Sequence, residues 1–449
     1  MRRIRANILL TTKRLRVELT ETSFQSIPYL AGGVISATVC SIFNYVFKES
    51  EKVFFLLIDG QLYLIFVIAP LCFVGAWLMT RAFAPEAAGS GIPQVIAALE
   101  ESSERKDILS RLLSFRVIII KILSASLMVL GGGAVGREGP SIQISASVFY
   151  IIREYWVKLG NKLALKNMLI AGGAGGIAAA FNTPLGGVIY AVEELARDHV
   201  SNFRVGLLEA VITAGLVAQL FNGPYLFLGF PLIPEMHRKS LFAVILIAAI
   251  CGILGAALGR ALYFGLKYRL KFNFNKSLGF IVILSLLFAT LVFFVGLSSV
   301  GSGKEIISDI LFKQLPVSFP VAMGRILGPL LASLSGASGG VFAPALAAGA
   351  AVGEWMGNIL SPGLHNLAPI CGMVGFLTGL TRTPVTAFVL ILEMTDRHSS
   401  IFPMMLSALI AHLFARVVDR KSFYENMAHQ IVLRERAKEK AKEEALNKA

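Results

Sequence analysis

The chain has 449 residues, 55% of them hydrophobic and only 16% charged, with a net charge of +14. No soluble domain has this composition, which excludes a water-soluble enzyme or binding module and leaves a polytopic helical membrane protein. The basic residues lie at the termini and in short loops instead of one patch interleaved with aromatics, which excludes nucleic acid as a partner and fits the positive-inside rule.

Residues 1–24 carry Arg2, Arg3, Arg5, Lys13, Arg14 and Arg16. They lack a compact apolar core and a small-residue cleavage site, so they predict a cytoplasmic interfacial helix and not a secretory signal. Apolar runs of spanning length follow at 28–47, 62–83, 117–130 and 206–221 within a first transmembrane region, 25–222. The segment 223–240, with Pro224, Pro231 and Pro234, has the turn chemistry of a linker. A second transmembrane region, 241–420, holds runs at 241–258, 279–300 and 401–417. The tail 421–449 mixes Lys, Arg and Glu at helical spacing and predicts a cytoplasmic helix. Both termini on one side require an even number of crossings. Cys40, Cys72, Cys251 and Cys371 sit in apolar segments, and neither they nor the six histidines have ligand spacing, so no disulfide, metal or other cofactor is expected.

Displacing the chain by 200 positions pairs Gly172 with Gly372, Gly175 with Gly375, Thr183 with Thr383, Pro184 with Pro384 and Glu193 with Glu393. The motif order repeats too, since Gly136–Pro140 and Gly340–Pro344 each open an apolar helix. Two related halves with helices interrupted at matching places point to a secondary transporter or channel with its site where the halves meet.

Four segments put glycine or proline beside a helix start: Gly89–Gln94, Gly136–Pro140, Asn182–Pro184 and Gly340–Pro344. A helix amino terminus offers free N–H groups and partial positive charge, and suits an anion. One such break alone reads as packing of a re-entrant helix, but four, two of them repeat-matched, favour an anion path. Glu138 lies inside one of them. A charge at that depth costs about 2.5 to 3.5 kcal/mol on insertion scales and is rarely kept without a task. Other motifs fail. Gly131–Gly136 satisfies GxGxxG but follows a membrane-length run, Gly303-Lys304 lacks the flanks of a phosphate loop, and Ala88 replaces the first glycine of a GxSG serine motif. No enzyme is expected.

The strings GSGIP at 89–93, GREGP at 136–140 and GGVFAP at 339–344 resemble the signatures of the CLC family of chloride channels and chloride/proton exchangers. FNTPLGGVIYAVEEL at 181–195 and LILEMTD at 390–396 are similar to further family segments, and the resemblance spans roughly residues 25–425. It implies an all-α membrane protein of two inverted repeats, with about 18 tilted and re-entrant helices, and a homodimer with one pore per subunit. Ser90, beside Gly91 and Ile92, would donate its hydroxyl to a central chloride. The backbone N–H groups of Val341 and Phe342 would complete that site, and Tyr424 would close its inner side. Neutral donors of this kind hold a dehydrated halide without trapping it.

The same resemblance makes Glu138 a protonatable gate whose carboxylate imitates the anion, and Glu194 a proton relay from inside. Arg137, Gly139 and Lys121 would support them, Lys121 needing a buried partner or a wet cavity. Gln94 stands where the resemblance implies Glu in many relatives, and Ile96 where it implies an acid in some, so altered surroundings of Lys121 are expected. After Tyr424 only a short charged helix follows, so regulation by adenine nucleotides is not expected. The expected function is chloride/proton antiport across the bacterial inner membrane, its alternative a passive voltage- or pH-gated chloride channel.

Overall fold

A computed structural model describes residues 2–101, 106–196, 204–223, 228–233, 238–361, 363–396 and 398–446. The first half runs through α1 (Arg2–Ile58), α2 (Ile65–Phe83), α3 (Ile92–Glu100), α4 (Lys106–Leu112) and α5 (Phe115–Leu130). It continues with α6 (Glu138–Lys158), α7 (Leu165–Phe181), α8 (Pro184–Tyr190) and α9 (Arg204–Asn222). The second half comprises α10 (Arg238–Arg269), α11 (Phe274–Val295), α12 (Lys304–Lys313), α13 (Phe319–Leu334), α14 (Phe342–Leu360), α15 (Leu367–Thr381), α16 (Pro384–Thr395) and α17 (Ile401–Val418). A last helix, α18 (Phe423–Leu446), closes the chain. The fold is the all-α arrangement the sequence predicts. Residues 1–24, expected as a separate interfacial helix, are continuous with the first span in α1, which contains Pro28. Of the linker, Pro224 and Pro234 lie outside the described residues; Pro231 lies in an irregular stretch.

Seven helical stretches among the described residues are long and apolar enough to cross a membrane, and several others are shorter. Short helices arise where the sequence supplies Gly and Pro. Pro184 and Pro384 occupy first-turn positions of α8 and α16, where a missing N–H costs nothing. Lipid gives helices no hydrophobic reason to associate, so close packing of small residues has to hold them. Gly176 of α7 faces the backbone of Ser141 and Ile142 in α6, and Gly349 of α14 faces that of Gly372 in α15.

Equivalent residues of the two halves bind each other reciprocally. Gly136 N–H donates to Gly340 O (2.7 Å), and Gly340 N–H donates to Gly136 O (2.8 Å). At the far end of the repeat, Glu193 accepts from the N–H groups of Val385 (3.0 Å) and Thr386 (2.6 Å), while Glu393 accepts from those of Leu185 (3.1 Å) and Gly186 (2.7 Å). Exchange of this kind is what a two-fold relation demands. The carboxyl end of each short helix meets the amino end of the other, so α8 and α16 are antiparallel and the repeats are inverted.

Candidate functional site

The amino ends of α3, α6 and α14 converge at the centre of the molecule, fixed by backbone hydrogen bonds between the motif loops. Besides the Gly136–Gly340 pair, Gly89 N–H donates to Ala337 O (2.9 Å) and Gly339 N–H to Gly89 O (3.1 Å). Three strings scattered over 250 positions of sequence thus form one irregular framework. Such backbone at membrane depth is tolerated where it is enclosed by protein.

Ser90 stands just before α3, which is capped by Gly91 and begins at Ile92. Its carbonyl and hydroxyl press on Gly139, where a methyl group would run into Ser90 Oγ. Tyr424, at the start of α18, is fully buried and lies within electrostatic range of Ser90, Glu138 and Glu194. The two hydroxyls lie close enough to interact with each other, and neither has a hydrogen-bond partner of ordinary geometry among the described residues. Both remain available to a ligand. Val341 caps α14 and Phe342 begins it, so their N–H groups belong to the first turn and have no partner within the helix. Phe342 packs on Phe181 with ring centroids 5.6 Å apart.

Glu138 is the first residue of α6 and is 1% exposed. The N–H groups of Arg137, Glu138 and Ala343 face its carboxylate, whose Oε2 has no hydrogen-bond partner. The Glu138 carboxylate therefore sits between two helix amino ends, its own and that of α14, as an anion would. Its other side lines a cavity of about 340 Å³ with Arg137, Lys48, Lys52, Glu51, Lys304 and Glu305. Mixed charge there draws in either sign of ion without holding it in a single tight pair.

Glu194 lies on a π-helical turn, Ala191–Leu195, that continues α8. Such turns shift the register of side chains and often occur at functional sites. Here successive carboxylates part. Glu193 turns to the amino end of α16, also accepting from Thr386 Oγ1 (2.7 Å), while Glu194 turns inward and is 3% exposed. The pair is not a solvated helix terminus, the reading a Glu-Glu sequence suggests by itself.

Lys121 is wholly buried and donates from Nζ to Ala87 O and Gly89 O, each at 2.9 Å. It braces the loop before Ser90, together with two glutamines. Gln94 Nε2 donates to Glu86 O (3.2 Å) and Ala88 O (2.7 Å), and Gln143 Nε2 to Glu86 O (3.1 Å) and Leu112 O (3.0 Å). Ser338 Oγ donates to Ala87 O, and Ser338 N–H donates to Ser124 Oγ (3.1 Å). Every carbonyl from Glu86 to Gly89 is thus occupied, which holds Ser90 in one position.

Residues 72–416 match the protein family described as voltage gated chloride channel. The chain belongs to this family. A chloride channel family relative, the H(+)/Cl(-) exchange transporter ClcA of Vibrio vulnificus (strain YJ016), is 30% identical over 382 residues, which cover 82% of this chain and 79% of the relative. The protein of the same name from Klebsiella pneumoniae is 29% identical over 400 residues, covering 84% and 81%. A slow cyanobacterial Cl-/H+ antiporter of known structure superposes with a TM-score of 0.79 at 23% identity, over 91% of this chain and 98% of its own. A CLC-type fluoride/proton antiporter gives 0.75 at 20%, over 91% and 98%.

Against this family frame, the structure brings Ser90, Gly91, Ile92, Arg137, Glu138, Gly139, Val341, Phe342 and Tyr424 to one place, with Lys121 behind the loop and Glu194 on the Tyr424 side. Sequence reasoning missed Gln143, Ser124, Ser338 and the capping role of Glu193 and Glu393. Only the last carried a signal: two repeat-matched glutamates at equal distances beyond matched prolines.

Proposed function

We propose that this protein exchanges chloride for protons, with Glu138 as the protonatable gate and Glu194 as the internal proton relay. One observation carries the reading: Tyr424 and Ser90 bring two buried hydroxyls together with no hydrogen-bond partner of ordinary geometry, and the same phenol lies within electrostatic range of both buried carboxylates. Chloride passes between Ser90, Tyr424 and the first N–H groups of α14. A charged Glu138 occupies the adjacent anion position and blocks it, and protonation releases it toward the 340 Å³ cavity. Protons reach it from Glu194.

Exchange of opposite charges in opposite directions moves net charge, so turnover responds to voltage at about 2.3 kcal/mol per elementary charge per 100 mV. The protein acts as a homodimer in a bacterial inner membrane, with both termini cytoplasmic. No enzymatic step is involved. The test is a proteoliposome loaded with chloride, in which the outward chloride gradient should drive protons inward against their own gradient. Chloride efflux without proton movement would replace antiport by a passive channel.

A further inference from the structure

A second cationic site lies away from the ion path, where α2 and α10 end and α11 begins. The Arg81 guanidinium carbon stands 5.3 Å from the Trp77 ring and 5.2 Å from that of Phe274, and the Arg269 guanidinium carbon stands 6.0 Å from Trp77. The two rings are themselves in contact, with centroids 5.6 Å apart. Trp77 is buried, so the arginines share a rigid aromatic floor. Guanidinium–ring contacts offset part of the cost of holding cations there.

Neither guanidinium forms a hydrogen bond or an ion pair among the described residues, and Arg269 Nε is buried without a partner. The charged group acting on Arg269 is another cation, Arg81. Around Arg269 the sequence supplies no acid, since from Met236 to Lys304 there is no Asp or Glu, while Lys267, Lys271 and Lys276 add positive charge to the same hairpin; Glu86, five residues after Arg81, forms no ion pair with it. Two guanidiniums against the same ring, close enough for one to act on the other, with five donors each and no acceptor, call for an oxyanion that takes hydrogen bonds from both.

We propose that Arg81 and Arg269 bind a phosphate oxyanion, and that its source is the headgroup of an anionic lipid. The location selects the source. Both arginines stand at ends of membrane-length helices, the depth of lipid phosphates, and Phe83, Tyr268 and Leu270 beside them in sequence are exposed and suited to acyl chains. Occupancy also touches transport. Arg269 packs on Gly336, a left-handed glycine (φ +68°) where any side chain would strike the guanidinium. Gly336 opens the segment whose Ala337 carbonyl holds Gly89 and which ends in Val341 and Phe342. An arginine neutralised by phosphate thus steadies the strand between α13 and the chloride site.

Native mass spectrometry of the intact protein, released from vesicles of equal phosphatidylglycerol and phosphatidylcholine, reads this directly. Wild type should retain phosphatidylglycerol. Each arginine near an anionic surface contributes about fivefold in affinity, so R81Q should lose about fivefold and R81Q/R269Q about thirtyfold. Arg81 is exposed, so R81Q keeps the test valid should R269Q fail to fold. Inorganic phosphate added to detergent-solubilised protein should compete only at far higher concentration. Retention without preference for phosphatidylglycerol, or equal retention by wild type and R81Q, overturns the proposal. Binding of free phosphate with no lipid preference overturns the lipid as its source.

Discussion

The two halves place different chemistry at the same positions. Helices α6 and α14 begin at equivalent residues, Glu138 and Phe342, and beyond the matched Glu193 and Glu393 come Glu194 in one half and Met394 in the other. Glu194 is 3% exposed, Met394 wholly buried. Where the halves agree, in the Gly136–Gly340 pair and the exchanged glutamate caps, the shared residues build the frame. At the Glu138/Phe342 and Glu194/Met394 positions the first half carries a carboxylate and the second an apolar side chain. A symmetric pair of gates would place two carboxylates on one anion path, where like charges disfavour joint ionisation. On the proposed reading, one acid beside one phenylalanine leaves a single gate opposite a neutral wall.

The most severe way to erase the difference is to remove the charge at Glu138. In E138Q, proton flux in proteoliposomes should fall by about 100-fold or to background, because no titrating group remains at the gate. Chloride flux should persist. In wild type, acidification should protonate Glu138 and speed chloride; the variant, fixed in the neutral form, should show a flat pH profile. Stopped-flow anion efflux between pH 4 and 7, roughly the range around an ordinary carboxyl group, measures the slope. Retained proton coupling in E138Q would remove the asymmetry from the mechanism.

E194Q makes the second carboxylate position as neutral as Met394. Proton flux should fall by about tenfold or more while chloride continues, since the relay supplies protons but does not line the halide position. Moving the acid to the other half, in E194Q/M394E, should not restore coupling, because the reading places the relay on the Tyr424 side of the first repeat. Rescue would mean that either half can carry the proton.

A smaller effect is expected at Gly139, whose repeat equivalent is Ala343. The second half tolerates a methyl group there; the first does not, because Ser90 packs on the glycine. G139A should displace Ser90 and raise the KM for chloride by about tenfold, in line with one to three kcal/mol of overpacking. Proton coupling per chloride should change less than KM.

Much of this division is legible in the sequence. The offset of 200, the motif strings and the buried-depth Glu138 mark two halves and the proposed gate position before any coordinates. The bracing of Ser90 is not, for a physical reason. Lys121 finds backbone carbonyls where a search by residue type looks for a carboxylate, and carbonyls carry no sequence mark. Gln94 and Gln143 do the same work, which is why a glutamine at position 94, where the resemblance implies an acid, leaves the loop fully hydrogen-bonded. The roles of Glu193 and Glu194 are likewise invisible as neighbours in a string. A π-helical turn sends one to a helix end roughly 190 residues away in sequence and the other inward.

The exchanged caps give the mildest test and the one most specific to symmetry. Each glutamate accepts two backbone N–H bonds from the opposite short helix, Glu193 taking a Thr386 hydroxyl as well. Loss of a cap costs about 0.5 to 2 kcal/mol. E193Q and E393Q should therefore lower the thermal midpoint in detergent by similar amounts, E193Q slightly more for its extra bond, with the chloride-to-proton ratio unchanged in both. The variants lie on different helices but on one two-fold arrangement, so the double variant should fall short of the sum if the caps act as a unit. A loss of proton coupling in E193Q alone would assign Glu193 to the proton path and break the division between a shared frame and an unshared chemistry.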